Sequence, residues 1–222
     1  GVHLNLTAGA PLLPPSRIPG LVGRQGRFLR ADRLMVGLTL GRIDLRQAEA
    51  ELAAQVERAI DAGFSPDHLD SHHHVHCHPA LHPMVVRLAR RYGIGAVRCP
   101  VELGLAFRGN AYFKAVGLSL LGLMLRHRVR RAGLVTSDHF RGVVLGMGFS
   151  AELLQRTLRR LPEGSIELMC HPGYPDADLS ALTSYGAGRE SELAALLDPR
   201  GRGLLQGMGV TLGTYSDLSG RR

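Results

Sequence analysis

Short apolar runs of strand length alternate with longer stretches of helical period along almost the whole chain, and no other feature limits its fold as much. Residues 1–6 alternate like a strand. Residues 7–33 are rich in proline and glycine and read as a long loop. Asp44 then stands as an N-cap, and Leu45, Ala48, Leu52, Val56 and Ile60 recur at helical spacing up to Gly63. Residues 68–71 predict a short strand. Pro79 predicts a helix start, with Leu81, Val85, Leu88 and Ala89 inward and Gly93 past its end. Residues 94–99 read as a buried strand and 109–131 as an apolar helix. A helix capped by Ser150, a strand at 165–170, a helix at 190–197 and a strand at 209–214 complete the series. Strands that alternate with helices imply an α/β fold with a parallel sheet, either doubly wound or closed as a barrel. No Gly-x-Gly-x-x-Gly follows a strand and no P-loop is present, which argues against a nucleotide fold. No internal repeat or linker interrupts the chain, so residues 1–222 read as one domain.

Composition fits a globular protein: 222 residues, 45% of them hydrophobic, can bury a core. The net charge of +8 raises nucleic acid as a partner. The basic residues are arginines spread along the chain, with Lys114 the sole lysine, and the dense run at 126–131 lacks aromatics for base stacking. No nucleic-acid partner is expected. Residues 115–125 are apolar but too few to cross a bilayer, and they predict a buried helix rather than a transmembrane segment; an interfacial helix is the alternative. Three cysteines, Cys77, Cys99 and Cys170, are odd in number and far apart, which favours a reducing, cytoplasmic setting. Cys77 reads as a buried thiol or as a ligand. The chain opens at Gly1 directly inside a strand, so the fold is expected to be incomplete at its N-terminus.

Seven of the eleven histidines fall between His68 and His82. Neutral imidazole is the commonest protein ligand for transition metals. If the strand from His68 continues, His72, His74 and His76 share one face with Asp70, while His73 faces away. His74 and His76 are then ligands, ring-orienting partners or substrate contacts, and Asp70 is placed to orient a histidine through a hydrogen bond. His78 and His82 read as bystanders. His3, Arg98 and His171 also lie at strand ends, where an α/β barrel builds its active site. Each has a plainer reading: a half-buried strand histidine, a structural ion pair, and a turn histidine.

Several segments together resemble the YdjC-like carbohydrate deacetylases, a family that includes chitooligosaccharide deacetylase and a relative associated with hopanoid biosynthesis. They are Gly1-Val-His-Leu-Asn-Leu-Thr, His68-Leu-Asp-Ser-His-His-His-Val-His, Val97-Arg-Cys-Pro, Ser137-Asp-His-Phe, Glu167-Leu-Met-Cys-His-Pro-Gly and Leu212-Gly-Thr-Tyr-Ser-Asp. The resemblance covers essentially the whole chain. It implies a distorted (β/α) barrel of the glycoside hydrolase/deacetylase type, here without its first strand. It also implies a divalent metal, usually magnesium, with zinc or another divalent ion as alternatives. His3 and His72 correspond to two metal ligands. The third, an aspartate from an Asp-Asp-Phe-Gly motif that also supplies the general base, has no counterpart here, so the chain is expected to be inactive alone. His171 corresponds to the general acid, and Arg98 is carried with it in the catalytic set. Asp138 and His139 match a motif near the site whose role the sequence does not give. The implied substrate is an N-acetylglucosamine-containing oligosaccharide or sugar-lipid, and a homodimer is the implied assembly. A barrel phosphoesterase and a non-catalytic metal-binding fragment are the alternatives.

Overall fold

The computed structural model describes residues 1–102, 110–146, 148–177, 179 and 185–219. They divide into two units: Gly1–Cys99, Leu120–Thr136 and Tyr215–Arg222 in the first, Pro100–Ser119 and Ser137–Thr214 in the second.

In the first unit, strands β1 (Val2–Leu4), β2 (His68–Ser71) and β3 (Ala96–Val97) pair in parallel in that order. Parallel neighbours need a crossover between them. Helices α1 (Ala31–Thr39) and α2 (Leu45–Asp61) lie between β1 and β2, and α3 (His82–Arg91) lies between β2 and β3. Helix α2 starts where Asp44 accepts the Arg46 N–H at 2.9 Å, and the chain leaves it through Gly63 at φ 88°. In β1, Val2 and Leu4 are buried and the intervening His3 takes the opposite face. Leu4, Leu52, Val56, Leu69, Met84 and Leu88 are all buried. The later residues of α4 (Asn110–Arg131) bury Leu125 and Val129 in this unit. Val135 adds a parallel bridge to Ala96.

In the second unit, β4 (His139–Arg141) and β5 (Ile166–Leu168) pair in parallel. Helices α5 (Ala151–Leu158), α6 (Ala187–Leu197) and α7 (Pro199–Gly207) close over a core of Leu145, Phe149, Leu154, Leu158 and Ala195. Ser150 caps α5 by accepting from Leu153 N–H at 3.3 Å.

Three expectations need correction, and one helix went unread. The strand predicted at 209–214 is not formed: a turn and an exposed segment lead there to α8 (Tyr215–Ser219), no described strand pairs with it, and Leu212 is 75% exposed. The predicted loop at 7–33 holds a 3-10 turn, Pro15–Arg17, and the start of α1, a helix that begins without any side-chain cap to announce it. Helix α3 starts at His82 rather than Pro79, because Leu81 N–H closes a turn onto the His78 carbonyl at 2.8 Å. Helix α7 is the one that went unread, although Asp198 and Pro199 supply a cap and a first-turn proline for it. Among the described residues, no helix is long and apolar enough to cross a membrane.

Candidate active site

The first cluster sits at the carboxyl ends of the parallel strands in the first unit, where open α/β sheets place their ligands. His3 and Asp70 are register partners in β1 and β2. Their side chains are joined at 2.9 Å, His3 Nδ1 to Asp70 Oδ1. Arg98, just past β3, pairs with the other oxygen of Asp70 through Nη1. Each strand thus delivers one member of the triad. Burial by itself would raise the Asp70 pKa, but the His3 hydrogen bond and the Arg98 charge outweigh it and hold the carboxyl at about 2. An ionised Asp70 only accepts, so His3 Nδ1 is the donor in this bond, and in the neutral ring that leaves the lone pair on Nε2. His3 is 54% exposed there.

The histidine run does not continue β2. Ser71 is still extended, and a 3-10 segment then covers His72–Cys77, with His73 and His74 in the left-handed region at φ 54° and 52°. Strand parity therefore ends at Ser71, and the shared face expected for His72, His74 and His76 is lost. The ring of His72 stands edge-on to that of His3, centroids 5.7 Å apart. His73 lies against His72 at 3.9 Å and bonds Thr7 Oγ1 at 2.9 Å.

His76 is buried and serves as a pin. Its Nε2 donates to the Arg98 carbonyl at 2.9 Å, which fixes the tautomer, and its Nδ1 accepts from Ser71 Oγ at 2.6 Å. Burial pushes its pKa down to about 4, and the Arg98 carbonyl and Asp70 oppose that only in part. It therefore ties β2 to β3 as a neutral ring. Burial likewise pushes His74 down to about 3, helped by the charges of His76 and Arg98. His82 bonds the Cys77 carbonyl at 2.8 Å, and His78 bonds Thr39 at 3.2 Å; both pack, as read from the sequence. Cys77 is buried, and burial raises its thiol pKa further.

The His3 and His72 rings are spaced as two imidazoles could be around one divalent cation. Imidazoles that share a metal at about 2.1 Å hold their centroids roughly 5 Å apart, close to the separation of His3 and His72. The Asp70 bond to Nδ1 is the support such a ligand uses. Asp70 itself is committed to His3 and Arg98. Among the described residues no group of three or more His, Cys, Asp or Glu is arranged to hold a metal. The pair fits two positions of a site and leaves the third unfilled by described residues.

The loop after β1 is held from α2. Buried Glu51 accepts from Leu12 and Leu13 N–H, each at 2.9 Å, and Gln55 Nε2 donates to the Asn5 carbonyl at 2.7 Å.

In the second unit, His171 follows β5. Its backbone N–H donates to Glu192 at 2.5 Å, and its ring meets Tyr185 edge-on at 6.0 Å. Asp138 lies at the opposite end of that sheet, where its Oδ2 accepts from Ser165 N–H at 3.1 Å and Ser165 Oγ at 2.7 Å. His139 opens β4 beside Ile166. Sequence reasoning missed two buried acids here. Glu192 is one. Glu102 is the other, accepting from Gly142, Val143 and Val144 N–H at 2.8–3.1 Å. Neither carries a local signal, since a lone glutamate in a sequence normally reads as solvated.

Comparison with known proteins gives one consistent result. Residues 1–207 match the family model described as YdjC-like protein. A carbohydrate deacetylase of Geobacillus stearothermophilus is 35% identical over 219 residues, covering 98% of this chain and 75% of the relative. A chitooligosaccharide deacetylase of Klebsiella pneumoniae is 31% identical, covering 98% and 77%. A crystal structure from Enterococcus faecalis, named for cellobiose-phosphate cleavage, superposes with a TM-score of 0.73 at 25% identity, covering 98% of this chain and 77% of that one.

Proposed function

This chain belongs to the YdjC-like family, and from that premise we propose that it removes N-acetyl groups from carbohydrates. The observation that carries the reading is the His3–Asp70 pair, with His72 beside it, at the carboxyl ends of a parallel sheet. The relatives named carbohydrate deacetylase and chitooligosaccharide deacetylase supply the substrate class, an N-acetylated sugar or oligosaccharide. A (β/α) barrel of the deacetylase type is part of this proposal, and a closed ring of parallel strands in a crystal structure checks it.

The reaction adds water across an amide: the carbonyl carbon gains oxygen, the C–N bond breaks, and the amine leaves with a proton. His3 and His72 would hold the divalent metal, magnesium or zinc, which when bound polarises the carbonyl and acidifies water. Asp70 fixes the His3 tautomer so that Nε2 offers a lone pair. Arg98 keeps Asp70 ionised and in place. His171 is the proton donor to the leaving amine in this reading.

The test is acetate release from N-acetylglucosamine oligomers by the full-length gene product, with phosphate esters run alongside. Release that falls to background in His72→Ala supports the assignment. Unchanged release in that variant overturns the role of His72. Turnover of phosphate esters alone overturns the deacetylase reading.

A further inference from the structure

We propose that Glu192 is a positioning residue for His171: its buried carboxylate fixes the backbone that carries the ring and favours the protonated imidazole. This rests on the reading of His171 as proton donor. Glu192 is 0% exposed, on the inner face of α6. Its Oε2 accepts the His171 N–H at 2.5 Å and lies 4.0 Å from His171 Nδ1. Its Oε1 accepts the Gly148 N–H at 2.8 Å and the Tyr185 hydroxyl. One carboxylate therefore joins the turn after β5, the turn before α5 and the residue leading into α6.

A site of this burial filled for packing alone would be apolar, because a buried carboxylate costs several kcal/mol unless its acceptors are satisfied. Here the surroundings are shaped to satisfy them. Gly148 sits in the left-handed region at φ 86°, which points its N–H at Glu192. The Tyr185 ring lies across Gly188, where an added Cβ would fall 2.2 Å from Cε2. Without that glycine the hydroxyl could not reach the carboxylate.

Among the described residues, the carboxylate of Glu192 and the ring of Tyr185 lie against His171, and Arg189 lies on Tyr185. The Arg189 guanidinium is stacked over the Tyr185 ring, 5.4 Å from its centroid, and is bonded to the Tyr185 carbonyl at 3.1 Å. Arg189 thus engages Tyr185, whereas Glu192 is in ion-pair range of the imidazole itself. An opposite charge at this range favours the charged form of a histidine, less so where water reaches the ring, and His171 is 36% exposed. A general acid must enter the reaction protonated, so Glu192 extends the pH range over which His171 can donate.

The experiment uses the full-length gene product. The His171 pKa is followed by NMR of the imidazole, and kcat and KM for acetate release are measured against pH. In Glu192→Gln the His171 pKa falls by about one unit. The alkaline limb of kcat moves down with it, and KM changes less than about twofold. A purely structural glutamate would change the melting temperature and leave that limb in place. In Tyr185→Phe the carboxylate loses a neutral donor and keeps its charge, so the His171 pKa holds or rises. An unchanged pKa in folded Glu192→Gln overturns the proposal. So does a fall in Tyr185→Phe, even if Glu192→Gln fails to fold. A pKa that falls in Glu192→Gln when no variant or parent releases acetate supports the hold on His171 and counts against the deacetylase reading instead.

Discussion

His3 and Asp70 face each other as register partners across two parallel strands, and the same two side chains share a 2.9 Å hydrogen bond. In a parallel ladder, partners present their side chains on one face, so the pairing of β1 with β2 sets this bond directly. Asp70→Asn tests it. An amide can accept from His3 with its oxygen, but its nitrogen then faces the Arg98 guanidinium, donor against donor. One partner must be lost. Acetate release, as kcat/KM, should fall about 10- to 100-fold, the usual cost of removing the carboxylate behind a ligating histidine. Urea unfolding should show a loss of about 2–3 kcal/mol, because Arg98 is 13% exposed and gives up its carboxylate. A variant with parental kcat/KM would remove Asp70 from the site.

Much of this arrangement was legible in the sequence, and what was hidden has physical causes. β2 was read at its observed bounds, and the caps Asp44 and Ser150 marked α2 and α5, because these signals are local. The His3–Asp70 register was not readable, since it joins residues 67 apart through a crossover. The shape of the histidine run was misread for a different reason. Alternating histidines imply one face only while the backbone stays extended, and the left-handed His73 and His74 break that condition. Tertiary bonds hold the bend: Thr7 to His73 on one side, Ser71 and the Arg98 carbonyl to His76 on the other.

That bend makes its own prediction. A left-handed backbone strains β-branched side chains most, while asparagine adopts it readily. His74 sits at φ 52°, ψ 30°. His74→Asn should therefore be more stable than His74→Val by about 1–2 kcal/mol in chemical denaturation. Equal midpoints for the two would mean that the chain takes a different path after Ser71.

Ser71 offers a sharper stability test. Its hydroxyl accepts the His76 backbone N–H at 3.0 Å and donates to His76 Nδ1 at 2.6 Å, all in the buried interior. Ser71→Ala removes one oxygen and leaves two buried polar atoms of His76 without that partner. The expected loss is about 2–3 kcal/mol, above the usual worth of one hydrogen bond, because unsatisfied buried groups cost their full desolvation. Ser71→Thr keeps the hydroxyl and should recover part of the loss. A Ser71→Ala change under about 0.5 kcal/mol would show that the pin carries little of the stability.

The last prediction concerns acid. Asp67 stands at the start of β2, where it accepts from His68 Nδ1 at 2.6 Å and from Ser216 N–H and Oγ at 3.1 and 3.0 Å, tying α8 to the sheet. Tyr215 of α8 also stacks on His68, centroids 4.2 Å apart. Partial burial would raise the Asp67 pKa, but the His68 and Ser216 bonds prevail and bring it from 3.8 to about 2. Because the folded pKa is depressed, the unfolded chain takes up the proton first as pH falls. The contribution of Asp67 to stability is therefore complete above about pH 5 and is lost between about pH 4 and pH 2. With a quarter of the side chain exposed, that contribution should be about 1–2 kcal/mol at pH 7. Asp67→Asn should unfold at lower urea than the parent at pH 7, and the two curves should converge by about pH 1.5, below the folded pKa. A gap that stays constant down to that pH would assign the effect to packing of α8 rather than to the charge of Asp67.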